Sequence, residues 1–362
     1  MENHEKYMDL AIVLAKRGQG QVNPNPLVGA VIVKDDVIIG SGYHEKYGGP
    51  HAERQALAAC TQSAAGATLY VTLEPCCHYG KTPPCTEAII ENKINRVVIG
   101  STDPNPLVSG KGIEILRQHG ITVITGVREA ACQEMNAIFF HYIKNKTPYV
   151  LMKYAMTLDG KIATHTGKSQ WITGEPARAA VHETRNEVAG IMVGVNTVLQ
   201  DDPQLTCRIE GGRNPSRIIC DSHLRTPLSA KVVESARKIP TYLATCCRDQ
   251  KKIKRLEIMG CKIIAVSKEG DHLNLQELMV QLGALGIDSI LLEGGGTLNF
   301  SALKSGIVNK LQVYLAPKIF GGAAAITPVE GPGVEDPAEA FQFTDRKIKI
   351  FGEDICLEYV KR

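Results

Sequence analysis

The chain has 362 residues, a length that suggests about two domains of ordinary size rather than one core. Its 44% hydrophobic and 22% charged residues suit a soluble globular protein, and no apolar run approaches the roughly 20 residues needed to span a bilayer, which excludes a transmembrane helix. A formal net charge of +3 is too small to argue for a nucleic-acid partner and favours a small-molecule substrate.

Residues 5–17 carry Tyr7, Leu10, Ala11 and Leu14 at helical spacing and stop before Gly18. This start is acidic and amphipathic, without the basic opening and cleavage site of a signal peptide, so a cytoplasmic location is expected. Strands are predicted over 28–33 and 37–40 about an Asp35-Asp36 turn, followed by a helix over 51–60, a strand over 67–73, a helix over 84–92 and a strand over 96–100. A further helix, strand and helix run up to Lys144, so the first half reads as an α/β sandwich. The polar, turn-forming stretch 144–148 (KNKTP) reads as a linker and divides the chain into domains 1–146 and 147–362. Beyond it, strand-like runs at 149–155, 190–195, 217–220, 262–266, 289–292 and 311–316 alternate with helices at 175–187, 274–285 and 297–304. That pattern predicts a second α/β domain with its own sheet.

Eleven cysteines, odd in number and scattered, with adjacent pairs at Cys76-Cys77 and Cys246-Cys247, do not make a secreted disulfide framework. Most read as reduced core thiols. The exception lies between His51 and Cys85, where His51-Ala52-Glu53 is followed by Glu74-Pro75-Cys76-Cys77-His78 and then Pro83-Pro84-Cys85. One imidazole and two thiolates, His51, Cys76 and Cys85, form a three-ligand zinc set with the fourth tetrahedral position open for water. Glu53, two residues past the histidine, can shuttle protons for that water without ligating the metal, the pattern of zinc-dependent base deaminases. Expected chemistry is therefore hydrolytic removal of an amino group. The usual spacing is PCxxC, whereas here the second cysteine follows nine positions after the first. Either Cys77 competes as a ligand or the loop is an insertion carrying substrate contacts; two adjacent cysteines do not easily face one tetrahedral ion, which favours the insertion.

Two loops echo one another: Asn23-Pro24-Asn25-Pro26-Leu27-Val28 and Asp103-Pro104-Asn105-Pro106-Leu107-Val108. Their flanks do not repeat, so they read as turn-forming loops rather than a duplication, with side chains able to face a heterocyclic base. In the second half, Ser289 to Leu298 (SILLEGGGTL) reads as a buried strand, a glycine turn and a helix start, an arrangement that can hold a phosphate. The GxGxxG spacing of a dinucleotide fingerprint is absent.

The segments HAE, TLEPCCHYGKTPPC and DPNPLVSGKG resemble the deaminase half of the bifunctional riboflavin biosynthesis family known as RibD or RibG, over the first 146 residues. The blocks KYAMTLDGKIA, SQWIT, GVNTV, DDPQLT and EGGGTL resemble its reductase half, through most of residues 147–322. The resemblance implies a cytidine-deaminase-like three-layer α/β/α domain followed by a dihydrofolate-reductase-like α/β domain that uses NADPH. It implies His51, Cys76 and Cys85 as zinc ligands, Glu53 as proton shuttle, Lys81 on the substrate phosphate and Asn25 on the base, with His44, Asp103 and Asn105 lining the same pocket. In the second domain it implies that Ala155, Trp171, Thr197, Asp201, Ser222 and the turn Gly295-Gly296-Thr297 meet the dinucleotide. Ser169, Arg185, Leu205, Arg208 and Glu293 would meet substrate, and the two arginines suit a ribose phosphate. Lys153 would polarise the sugar carbonyl or donate a proton, or else pair structurally with Glu293. A homo-oligomer is also implied. The expected function is deamination of a diaminopyrimidinone bearing a ribosylamino phosphate, then reduction of its ribose to ribitol. Rival readings are a nucleoside or transfer-RNA deaminase with an unrelated appended domain, disfavoured by the long Cys76–Cys85 loop with Lys81, and a zinc-stabilised scaffold, which would need a closed fourth ligand such as Cys77 or His78.

Overall fold

The structure is a computed structural model that describes residues 4–79 and 83–362, and it divides into two compact units, Met1–Lys146 and Thr147–Arg362. In the first, the elements run α1 (His4–Ala15), β1 (Gly29–Lys34), β2 (Val37–Tyr43), α2 (Ala52–Ala58), β3 (Thr68–Leu73), α3 (Cys85–Glu91), β4 (Arg96–Ser101), α4 (Lys111–Gln118), β5 (Thr122–Thr125), α5 (Glu129–Met135) and α6 (Ala137–Asn145). The strands form one sheet in the order β2-β1-β3-β4-β5. β1 is antiparallel to β2 and β3, while β3, β4 and β5 are parallel.

Alternate strand residues face opposite layers, because successive side chains of a strand point to opposite sides. Ala30, Ile32, Leu69, Val71, Val97 and Ile99 pack on the side covered by Ala52, Ala56, Ile89, Ile113 and Leu116 of α2, α3 and α4. Val31, Val33, Tyr70 and Val98 pack on the other side against Tyr7, Met8, Ala11 and Ile12 of α1 and Cys132 of α5. The result is three layers. At Gly29 a Cβ would lie 1.9 Å from the Ala11 carbonyl oxygen, so glycine is what lets α1 sit directly on β1. One prediction differs in detail: the last helix of this half is broken at Asn136, whose side chain turns back to the Leu27 backbone, accepting from its N–H at 2.8 Å and donating to its carbonyl at 2.9 Å.

The second unit contains β6 (Tyr149–Thr157), α7 (Glu175–Glu187), β7 (Gly190–Gly194), α8 (Val195–Asp201), β8 (Ser216–Cys220), α9 (Lys231–Glu234), β9 (Thr241–Thr245), α10 (Gln250–Ile258), β10 (Lys262–Ala265), the short strands β11 (Lys268–Glu269) and β12 (His272–Leu273), α11 (Leu275–Ala284), β13 (Ser289–Leu292), α12 (Gly296–Lys304), β14 (Val308–Ala316), β15 (Phe343–Phe351) and β16 (Asp354–Lys361). Nine strands form a sheet in the order β10-β9-β8-β7-β13-β6-β14-β16-β15. It is parallel from β10 to β14 and closes with the antiparallel hairpin β15–β16. The parallel strands β7, β8 and β13 are almost wholly buried runs, as expected for a sheet covered on both faces. α11 and α12 cover one face, and α8, α9 and α10 cover the other. Sequence patterning missed β9, α8, α10 and the terminal hairpin, in which β15 is exposed along nearly all its length and the inward positions of β16 include the polar Asp354 and Glu358.

Glu358 of the hairpin is buried and accepts from Lys349 at 2.8 Å and from Gln312 at 2.9 Å, with Lys310 at 2.9 Å. Burial pushes its carboxyl up, but the hydrogen bond from Lys349 and the charge of Lys310 outweigh that and hold it down at about 2. A depressed carboxyl contributes stability that is present above its unfolded value and lost as pH falls toward the folded one. We therefore expect Glu358 to contribute about 2 kcal/mol near neutral pH, after allowing for the exposure of Lys349, and that contribution to disappear between about pH 4.5 and pH 2. Hydrogen exchange of the β16 amides in wild-type and Glu358→Gln protein checks this: the difference should be large at neutral pH and vanish in acid.

Candidate active sites

In the first unit the chemistry gathers at the C-terminal ends of the adjacent parallel strands β3 and β4, the usual place for a site in an open α/β sheet. β3 stops at Leu73 and releases Glu74 to Cys77 into a loop; β4 stops at Ser101 and releases the Asp103–Asn105 loop. His51 is the N-cap of α2, and Cys85 opens α3 immediately after Pro84. The two helix starts bring His51, Cys76 and Cys85 together, with one donor atom from each lying within 4.8 Å of the others. Both sulfurs stand 3.4 Å from His51 Nδ1, and the Cys85 N–H points at Cys76 Sγ from 3.3 Å. A hydrogen bond from Cys85, followed by that with His51, pulls the Cys76 thiol down to about 4. Hydrogen bonding to Cys76 and burial push Cys85 well up.

One nitrogen and two sulfurs converging on one point fit a zinc ion and leave its fourth position open. Cys77 does not join them: its thiol is directed at the Leu107 carbonyl at 3.7 Å. Glu53, on the first turn of α2, is 3% exposed. Burial first, and the Cys76 charge next, push its carboxyl up to about 7, near the working pH that suits a proton shuttle.

His44 packs edge-on against His51 with ring centroids 5.6 Å apart. Its Nδ1 is 3.0 Å from the Pro50 carbonyl and its Nε2 is 3.0 Å from Asn25 Nδ2. An amide donating to Nε2 and a carbonyl accepting from Nδ1 select the neutral ring protonated at Nδ1. Burial, with the His51 charge as a lesser cause, lowers the His44 pKa, in keeping with that neutral form. Asp103 is 8% exposed, and burial pushes its carboxyl up to about 6 although it accepts the Asn105 N–H at 2.8 Å. Asn105 accepts in turn from the Leu107 N–H at 3.1 Å. Asp103 and Asn105 are thus turn formers as well as members of this neighbourhood. Lys81 lies outside the described residues; the loop's far end is tied down by Arg54, which donates to the Pro83 and Pro84 carbonyls at 3.3 and 2.9 Å.

Two residues here were not singled out from sequence. Glu74, 3% exposed, accepts from the backbone N–H groups of Asp103, Gly110, Gly112 and Ile113. Asn136 clamps Leu27. Each holds one of the two echoing loops, and a buried polar side chain facing backbone amides leaves no periodic trace in a sequence.

In the second unit a cavity of 1210 Å³ opens beyond the C-terminal ends of the parallel strands. Its wall contains Ala155, Trp171, Thr197, Asp201 and Ser222 together with Gly295, Gly296 and Thr297. It also contains Lys153, Ser169, Arg185, Leu205, Arg208 and Glu293, so every position expected there faces one space. That volume exceeds the roughly 300–1,000 Å³ of a pocket for one drug-sized molecule and fits a dinucleotide beside a substrate. Gly295 is the N-cap of α12, so the positive end of a helix dipole faces this part of the cavity, where the Glu330 carboxylate lies 3.4 Å from Thr297 Oγ1. Leu205 is held at φ 51° while buried, a left-handed conformation unusual for leucine and common where function dictates geometry.

Trp171 is 58% exposed, with the Arg178 guanidinium 4.7 Å from its ring centre, so it is a cavity wall and not a core anchor. The expected partnership of Lys153 with Glu293 is corrected in part. The carboxylate is held by Arg185, with Nε to Oε1 and a second guanidinium nitrogen to Oε2 both at 2.9 Å, and Arg185 also donates to the Thr206 carbonyl at 3.0 Å. Burial pushes Glu293 up, but Arg185 and then Lys153 hold it down at about 2. Lys153, whose Nζ lies 5.7 Å from the Tyr314 ring centre, is lowered by burial, with Glu293 opposing and Arg185 adding to the fall.

Residues 1–101 match the model of the cytidine and deoxycytidylate deaminase zinc-binding region, and residues 148–357 match that of the RibD C-terminal domain. A riboflavin biosynthesis protein RibD from Actinobacillus pleuropneumoniae is 52% identical over 98% of this chain and 94% of its own length, and one from Aquifex aeolicus is 44% identical over 98% of each. A crystal structure from Thermotoga maritima, described as a diaminohydroxyphosphoribosylaminopyrimidine deaminase/5-amino-6-(5-phosphoribosylamino)uracil reductase, superposes with a TM-score of 0.88 at 39% identity over 99% of both chains. With a zinc-type donor cluster in one unit, a dinucleotide-sized cavity in the other and relatives matched over nearly their full length, the chain belongs to the RibD family of bifunctional riboflavin biosynthesis deaminase–reductases.

Proposed function

We propose that the chain performs two consecutive steps of riboflavin biosynthesis: the first unit deaminates a diaminopyrimidinone bearing a ribosylamino phosphate, and the second reduces the ribosyl side chain of the product to ribityl with NADPH. The observation that carries this reading is a single chain holding both the His51–Cys76–Cys85 cluster beside buried Glu53 and the cavity that gathers Lys153, Arg185 and Glu293 with the Gly295 turn.

Zinc, when bound by His51, Cys76 and Cys85, supplies a Lewis acid and an activated water at its open position. Glu53 accepts the proton of the attacking water on its carboxylate and returns one to the departing amino group. Asn25, oriented by neutral His44, and the Asp103–Asn105 loop hold the heterocycle so that its amino-bearing carbon meets that water. Lys81 carries the charge for the substrate phosphate. In the second unit NADPH supplies the hydride, and the chain supplies orientation. The Gly295 turn receives the dinucleotide phosphates, and Trp171, Thr197, Asp201, Ser222 and Ala155 line its path. Lys153 faces the carbonyl of the opened ribose, where an ammonium polarises the C=O bond toward hydride. With the Arg185 fork engaged by Glu293, exposed Arg208 pairs with the phosphate oxygens, and Ser169 and Leu205 complete the wall.

The proposal extends to a homo-oligomer in the cytoplasm. β15 is an edge strand with Ile348 and Ile350 exposed, a surface that proteins ordinarily cover, and all eleven cysteines are free, as in a reducing compartment. Among the described residues no helix is long and apolar enough to cross a membrane.

The test is an assay of the whole chain with the diaminopyrimidine phosphate, with and without NADPH. Ammonia release without NADPH, and NADPH oxidation only once ammonia has been released, are expected. Chelating the metal should abolish ammonia release and leave reduction of the pre-formed deaminated compound within about twofold, because no cluster of metal-ligand type was found in the second unit's described residues. Ammonia release from a free nucleoside but not from the pyrimidine phosphate would overturn the reading.

A further inference from the structure

We propose that Glu74 is a positioning residue for deamination: its carboxylate holds the Asp103–Asn105 loop at the depth where that loop grips the pyrimidine. The proposal rests on the reading of Asp103 and Asn105 as substrate contacts. Glu74 leaves the end of β3 beside Cys76, and its N–H donates to the Ser101 carbonyl at 2.9 Å, which locks it to the end of β4. From there Oε2 accepts the N–H of Asp103 at 3.3 Å and of Gly110 at 3.0 Å, and Oε1 accepts those of Gly112 at 3.1 Å and Ile113 at 3.3 Å. One carboxylate thus fastens both ends of the loop and the first turn of α4. Four N–H groups aimed at a single buried side chain require an acceptor at both oxygens, which an ionised carboxylate provides and a carboxamide does not.

The SGKG stretch that follows the loop is explained by the same contact. Gly110 takes φ 85°, and a Cβ on Gly112 would fall 2.3 Å from the Pro75 carbonyl oxygen and 3.2 Å from Glu74 Oε1. Between its ends the loop is stiffened internally, by the Asp103 and Asn105 side chains and by Lys111 Nζ on the Pro106 carbonyl at 2.9 Å. It therefore moves as a body, and its position relative to the metal ligands is transmitted through Glu74.

The experiment uses the full chain, with its NADPH-dependent reduction as an internal measure of intact protein. In Glu74→Gln the amide nitrogen meets N–H donors, and KM for the diaminopyrimidine phosphate should rise about tenfold while kcat and zinc content stay within about twofold. Gly112→Ala, which displaces the same junction from the α4 side, should raise KM likewise, and the double variant should be no worse than the more affected single one. A role confined to stability, or to holding Cys76, would lower kcat and zinc content with KM unchanged, and that result overturns the proposal. If Glu74→Gln does not fold, Gly112→Ala decides by the same criterion. Asp103→Ala and Asn105→Ala separate the two levels. If neither raises KM, the loop is not the substrate wall and the site reading fails; if they do while Glu74→Gln and Gly112→Ala do not, the reading stands and the positioning role falls.

Discussion

Glu53→Gln protein is expected to retain its zinc and lose deamination by about a thousandfold, within the 10²–10⁴ that positioned proton transfer supplies. Glutamine matches the shape of the carboxylate, so His51, Cys76 and Cys85 keep their arrangement, and only the capacity to take and return a proton is removed. The site is buried to the point that Glu53 is 3% exposed, so solvent cannot readily take over the transfer. Measuring ammonia release together with metal content distinguishes this from loss of the ion. NADPH-dependent reduction of the deaminated compound by the same preparation should be unchanged. Near wild-type ammonia release by a zinc-replete variant would remove Glu53 from the proton path.

Arg185→Met should abolish most reduction and destabilise the second unit. The Arg185–Glu293 pair is largely removed from solvent, with side-chain exposures of 15% and 16%. Truncating one partner of such a pair strands a buried charge, typically costing 3–5 kcal/mol. Lys153, close enough to help hold down the Glu293 carboxyl, offsets part of that, so about 2–3 kcal/mol is expected. In the pair's absence Glu293 draws the Lys153 ammonium away from the substrate carbonyl, and kcat/KM for reduction should fall by about a hundredfold. NADPH absorbance and denaturant unfolding of the whole chain measure the two effects. Glu293→Gln in the Arg185→Met background should recover stability, because no unpaired carboxylate remains, and part of the rate, because no charge then draws Lys153 away from the carbonyl. A rate that stays low while stability returns would mean that Arg185 does not act by keeping Glu293 from Lys153.

The metal cluster was legible because its chemistry is local. Its ligands lie within 35 residues, each at an element boundary that proline or helix patterning marks, and the distances follow once two helix starts meet at the end of β3. The reductase residues were legible only as fragments of a family pattern. Periodicity could not show that Lys153 on β6, Arg185 on α7 and Glu293 after β13 face one cavity, since 108 residues separate the two members of the ion pair. Terminal hairpin β15–β16 escaped for a different reason: β15 exposes its alternating Ile348 and Ile350, and the inward positions of β16 include Asp354 and Glu358, so apolar alternation does not mark the buried face.

By itself, then, the sequence determined the α/β class of both halves and pointed to the zinc-type donors with a carboxylate beside them, because apolar periodicity and closely spaced residues are properties of the local chain. Tertiary structure alone decided which side chains hold those groups in place: Arg185 rather than Lys153 as the partner of Glu293, Cys77 turned from the metal cluster toward Leu107, and Glu74 and Asn136 behind the two echoing loops. Each of these is a polar contact made across the sheet or between distant segments, where burial forces every donor and acceptor to find a partner and sequence distance carries no information about which one.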